Sequence, residues 1–115
     1  MTAMDTADRF AALVAAFSDE AGVSPPGAQG HRGFGADALT VDGSIFAMLV
    51  TGSLVLKLPA SRVAELVRSG AGAPFSNSSG RPMREWVVLI GADPGADLAL
   101  AHESLEHVRS RPSRA

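Results

Sequence analysis

Apolar positions along the chain fall into segments of two different periods. Phe10, Leu13, Val14, Phe17 and Ala21 recur at the i, i+3, i+4, i+7 spacing of a helix with one buried stripe. Asp5 or Thr6 is placed to cap its start and Gly22 to end it. Residues 22–35, GVSPPGAQGHRGFG, follow no period and read as a connecting loop around Pro25 and Pro26. From residue 36 the period drops to two, which predicts strands over 36–41, 44–50 and 53–58. Asp42-Gly43 between the first two is a type I′ hairpin signal, because that turn needs positive φ at both central residues. Thr51-Gly52 makes the second tight turn.

Two-residue turns carry a register with them. Leu39 is then expected opposite Phe46 and Met48 opposite Val55, all on one face, with Lys57 pointing to the same side. Ile45, Ala47 and Leu49 are expected on the other face with Leu54, Leu56 and Leu58. Both faces come out apolar, unlike a sheet with one solvated side, so each needs a cover.

Pro59 suits the first turn of a second helix, where its missing N–H costs nothing. Val63, Leu66 and Val67 supply that helix's buried stripe, and Gly70 suits the left-handed position after its end. Phe75 then anchors a loop, and Ser76 to Pro82 is turn-rich. Met83 to Ile90 is a strand with Arg84, Trp86 and Val88 on one side and Val87 and Leu89 on the other. Asp93-Pro94 opens a last helix with Leu98, Ala101, Leu105 and Val108 inward. Residues 110–115 read as a frayed tail. The order is α-β-β-β-α-(β)-β-α, with a short extra strand near Pro74 to Ser76. Grouped strands of this kind predict an α+β, two-layer single domain over 1–115, built on an antiparallel sheet of four to five strands.

Composition narrows the function more than it identifies it. A net charge of −2 provides no general attraction for nucleic acid or anionic lipid. The absence of cysteine removes disulfides and thiolate chemistry. Asp5, Asp8 and Arg9 interrupt the apolar N-terminus, unlike a secretory signal, and no run approaches a membrane span. The expected setting is therefore the cytoplasm, with no membrane partner.

Candidate chemistry is sparse. His102 and His107 in HESLEH are five apart, so they diverge by roughly 140° around a helix instead of facing one metal. The better reading is solvated i,i+4 pairs such as Glu103–His107. Gly30, Gly33 and Gly35 lead into a strand, whereas phosphate loops lead into a helix. Ser44 and Ser53 lack a nucleophile-elbow pattern, with only His31 as a conceivable base. No catalytic, metal or cofactor residue is assigned. Lys57 is the sole lysine, set in an apolar strand; it either guards an edge or contacts an anion beside Arg84 and Trp86. Trp86, the sole tryptophan, suits an interface anchor. Phe34, Lys57, Arg81, Arg84 and Trp86 make up the candidate partner or ligand surface.

The segments FGADALTVDGSIFAMLV, LVLKLPASRVAELVRSGAGAPF and GRPMREWVVL, in this order between Gly33 and Val108, resemble the N-terminal domain of the TfoX/Sxy proteins, a bacterial family linked to competence regulation. The resemblance implies a secretion-chaperone-like two-layer fold and carries over no catalytic residue. The expected function is a non-enzymatic regulatory or protein-interaction module that self-associates, a homodimer included, through an uncovered sheet face. The alternatives are a small anionic-ligand-binding domain or unrecognised enzyme using Lys57, Arg84 and the glycine-rich loop, and a DNA-associated competence or transcription regulator.

Overall fold

A computed structural model of the chain describes residues 6–24, 38–50, 52–76, 80–90 and 94–110. In chain order these form α1 (Thr6–Ala16), β1 (Val23–Ser24), β2 (Ala38–Val41), β3 (Ser44–Val50), β4 (Ser53–Lys57), α2 (Ala60–Ser69), β5 (Gly72–Ser76), β6 (Pro82–Leu89) and α3 (Pro94–Ser110). The strands build one antiparallel sheet in the order β1-β2-β3-β4-β6-β5. The α+β class and antiparallel sheet are as the sequence predicts, with six strands in place of four to five. Asp5, residues 25–35 of the expected loop, Ala36 and Asp37 of the first expected strand, Thr51 and Asp93 lie outside the described residues, as do residues 111–115 of the expected tail.

The added strand is β1. Val23 pairs with Val41 and Ser24 with Thr40, and Asp42 N–H donates to the Gly22 carbonyl at 2.9 Å. Two residues wedged between Gly22 and Pro25 are too few to show a period, so this strand is invisible to pattern reading. Its pairing also accounts for an error at α1. The helix stops at Ala16, and the chain turns through Phe17 and Gly22 to reach the sheet edge, which leaves Ala21 exposed instead of in the buried stripe.

Asp42 and Gly43 have φ of 51° and 86°, the pair of positive angles a type I′ turn requires. The expected register nevertheless fails two residues further on. Val41 faces Ser44 and Thr40 faces Ile45, but Leu39 faces Ala47 in place of Phe46. Phe46 is the extra residue of a β-bulge, which lets two consecutive side chains point the same way. Phe46 and Ala47 both join the core, with Phe46 edge-on to Phe17 at 5.5 Å between ring centroids. Ile45 moves to the opposite face beside Met48 and Val55.

All three helices cover one face of the sheet. Phe10 and Leu13 of α1, Val63 and Leu66 of α2, and Leu105 and Val108 of α3 share a single core with Leu39, Leu54, Leu56, Leu58, Val87 and Leu89. Two polar devices fix the helices on it. Arg9 of α1 donates from Nε and a terminal nitrogen to the two carboxylate oxygens of Asp97 on α3, both at 2.7 Å, with both side chains buried. Those bonds raise the Arg9 pKa above its ordinary value, outweighing the opposing effect of burial. On α3, the fully buried Ser104 hydroxyl lies 2.6 Å from the carbonyl oxygens of both Phe46 and Lys57 and shares its one proton between them. The β3–β4 ladder runs from Val50–Ser53 to Ala47–Leu56. Phe46 and Lys57 would be the next pair, so Ser104 satisfies two carbonyls where the bulge opens the sheet.

Pro59 is the N-cap residue of α2, one position earlier than expected, and Gly70 ends the helix with φ 85° as predicted. Gly72 opens β5. A Cβ there would lie 2.5 Å from Val87 Cγ2 and 3.2 Å from Leu66 Cβ. Gly72→Ala is therefore expected to destabilise by about 1–3 kcal/mol through overpacking, measured by denaturant titration. Pro74 sits on the outermost strand, where a residue without an N–H is tolerated.

Candidate functional site

The face of the sheet opposite the helices holds a second, smaller cluster. Ala38, Met48 and Val55 are buried at its middle, with half-buried Ile45, Val50, Phe75, Trp86 and Val88 packed around them. By strand alternation Ile90 continues the Trp86–Val88 row, and it is 54% exposed. Among the described residues no helix lies over this surface.

Lys57 ends β4 on this face, and its partner across the ladder is Trp86 of β6. The Lys57 ammonium stands 5.2 Å from the centroid of the indole ring, within range for attraction to the ring's negative face. Arg84, two residues before Trp86, is on the same face and exposed. The structure thus brings together Lys57, Arg84 and Trp86, three of the five residues expected at the surface. Arg81 is exposed ahead of β6 and already partnered. Phe34 lies outside the described residues.

Charge is distributed unevenly between the two sides. Arg9 pairs with Asp97, and Arg62 reaches Glu103 at 2.9 and 3.2 Å and Glu65 at 3.1 Å. Arg109 reaches Glu20 at 3.1 Å. Among the described residues, neither Lys57 nor Arg84 has a carboxylate partner. Trp86 reports this field directly. The ratio of iodide to caesium quenching is expected to exceed that of free N-acetyltryptophanamide at equal ionic strength, and Lys57→Gln with Arg84→Gln to lower it. A ratio for the unaltered protein no higher than that of the free indole would contradict a cationic surface.

The histidines of α3 do not form a second site. His102 packs against Phe17 with tilted rings whose centroids are 4.9 Å apart, and His107 Nε2 lies 3.4 Å from Glu85 Oε1. Glu103 is held by Arg62, which replaces the expected Glu103–His107 pair. They line an open groove with Pro59, Ala99 and Glu106, and among the described residues no three His, Asp or Glu groups converge for a metal. Ser44 and Ser53 each open a strand after a turn; His31 and Gly30, Gly33 and Gly35 lie outside the described residues. No helix among the described residues is long and apolar enough to cross a membrane.

Pattern reading missed Ile45, Phe75 and Ile90 as members of this surface. The alternation of β6 carried the signal for Ile90. Phe75 lies in β5 and not in a loop, because Gly72 and Pro74 disguise an edge strand, and Ile45 is displaced by a bulge with no glycine to mark it. Comparison of the chain with family models, with curated proteins and with solved structures returns no match, so the surface must be interpreted from its own chemistry.

Proposed function

We propose that the chain is a non-enzymatic protein-interaction module, of the TfoX N-terminal kind, that docks another polypeptide on the open face of its sheet. The observation that carries this reading is the one-sided placement of the helices. A sheet apolar on both faces has all three described helices on one, and the other keeps Trp86, Val88 and the exposed Ile90 in one row. Aromatic anchors beside arginine are typical of protein–protein contact surfaces. The ordered motifs around Asp42-Gly43, Lys57-Leu58-Pro59 and Gly80-Arg81-Pro82-Met83 support the family assignment.

The test is a photo-crosslinking amino acid placed at Val88 on the open face and, separately, at exposed Ala64 on α2. Discrete adducts are expected from position 88 and none from position 64. Their mass tells the occupant: twice the chain's own mass means a second copy. The same adducts from both positions, or none from position 88, would remove the reading.

A further inference from the structure

We propose that the segment docked on this face is acidic as well as apolar: carboxylates against Lys57 and Arg84, and large apolar side chains against Trp86, Val88 and Ile90. This rests on the docking reading above and specifies its partner.

The argument begins with what covering the face does to its charges. Lys57 is half-buried, held over Trp86, and neither it nor Arg84 has a carboxylate among the described residues. An occupant that is only apolar would strip water from both cations and return nothing. Burying an unpaired charge is far more costly than burying a paired one. Any stable occupant must therefore bring negative charge to that end of the face.

Among the described residues, a second copy does not supply it. On the open face the described side chains include the cations Lys57 and Arg84 and no Asp or Glu, while Glu20, Glu65, Asp97, Glu103 and Glu106 belong to the helical side. Two copies set face to face would oppose cations to cations or to apolar groups. A nucleic acid is also disfavoured, because two cations on a chain of net charge −2 give little counterion release. The remaining fit is a separate polypeptide with both characters. Its dimensions follow from the strand: Arg84 and Ile90 are six residues apart, so carboxylate and apolar anchor lie within about 20 Å of each other.

The experiment is selection of a random peptide library on the immobilised full chain, with Lys57→Gln/Arg84→Gln and Ile90→Asp as comparison proteins, each checked by melting to be folded. The selected peptides are expected to carry Asp or Glu beside paired large apolar residues. They should bind the Lys57→Gln/Arg84→Gln protein about tenfold more weakly, with the difference shrinking in high salt, and fail to bind Ile90→Asp. If the selected peptides carry no excess of carboxylates, or bind Lys57→Gln/Arg84→Gln equally well, the acidic partner is wrong while the docking face stands. If no peptide is selected whose binding Ile90→Asp abolishes, the docking reading itself falls. An oligothymidylate binding more tightly than the selected peptides at physiological ionic strength would also overturn the acidic partner.

Discussion

Replacing Arg9 by alanine is expected to destabilise the fold by about 3–5 kcal/mol, because it leaves the Asp97 carboxylate buried without its partner. Both side chains of the pair are almost inaccessible, at 6% and 5% exposure, and both bonds are short. A loss of that size is a large part of the roughly 5–15 kcal/mol that holds a domain of ordinary stability together. The double variant Arg9→Met/Asp97→Leu separates two explanations. If the cost of the single change lies in the orphaned charge, the double variant recovers most of it, since apolar residues of similar volume replace buried ion pairs with little loss. Chemical denaturation of the three proteins provides the comparison. A loss under about 1 kcal/mol for Arg9→Ala, the size of an exposed pair, would mean that α1 does not seal against α3 as described.

The second large effect concerns the bulge. Phe46→Ala is expected to cost about 3–5 kcal/mol and Ile45→Ala under about 1.5 kcal/mol. The regular register expected from the Asp42-Gly43 turn predicts the opposite order, with Ile45 under the helices and Phe46 away from them. The bulge places Phe46 at zero exposure against Phe17 and leaves Ile45 half-buried on the open side. Paired denaturation curves decide between the two registers without a structure. An Ile45→Ala loss larger than that of Phe46→Ala would restore the regular ladder and dismantle the open face as drawn.

These two cases show which parts of the molecule local sequence can display. Period and turn chemistry are local, so β3, β4, the Asp42-Gly43 and Gly70 geometries and the stripe of α2 could all be read directly. The bulge, β1 and the Arg9–Asp97 pair are decided by packing between distant segments. Nothing within four residues of Phe46 says that it must meet Phe17, and Arg9 and Asp97 are 88 positions apart. Ser104 is likewise a helical serine whose role depends on the distant carbonyls of Phe46 and Lys57. The candidate surface is legible where it follows alternation, which puts Arg84, Trp86 and Val88 on one side of their strand; that Lys57 is the partner of Trp86 depends on the pairing of β4 with β6. Its apolar extent was hidden, because the residue that leaves the face and the one that joins it exchange places at an unmarked bulge.

The one-sided helical cover is tested most directly by hydroxyl-radical footprinting of the purified protein. Trp86, Phe75 and Ile90 are expected to oxidise readily while Phe17 and Phe46 stay protected until the protein unfolds. Prompt labelling of Phe46, or protection of Trp86 and Ile90 equal to that of Phe17, would contradict a sheet with one face beneath its helices and the other open to a partner.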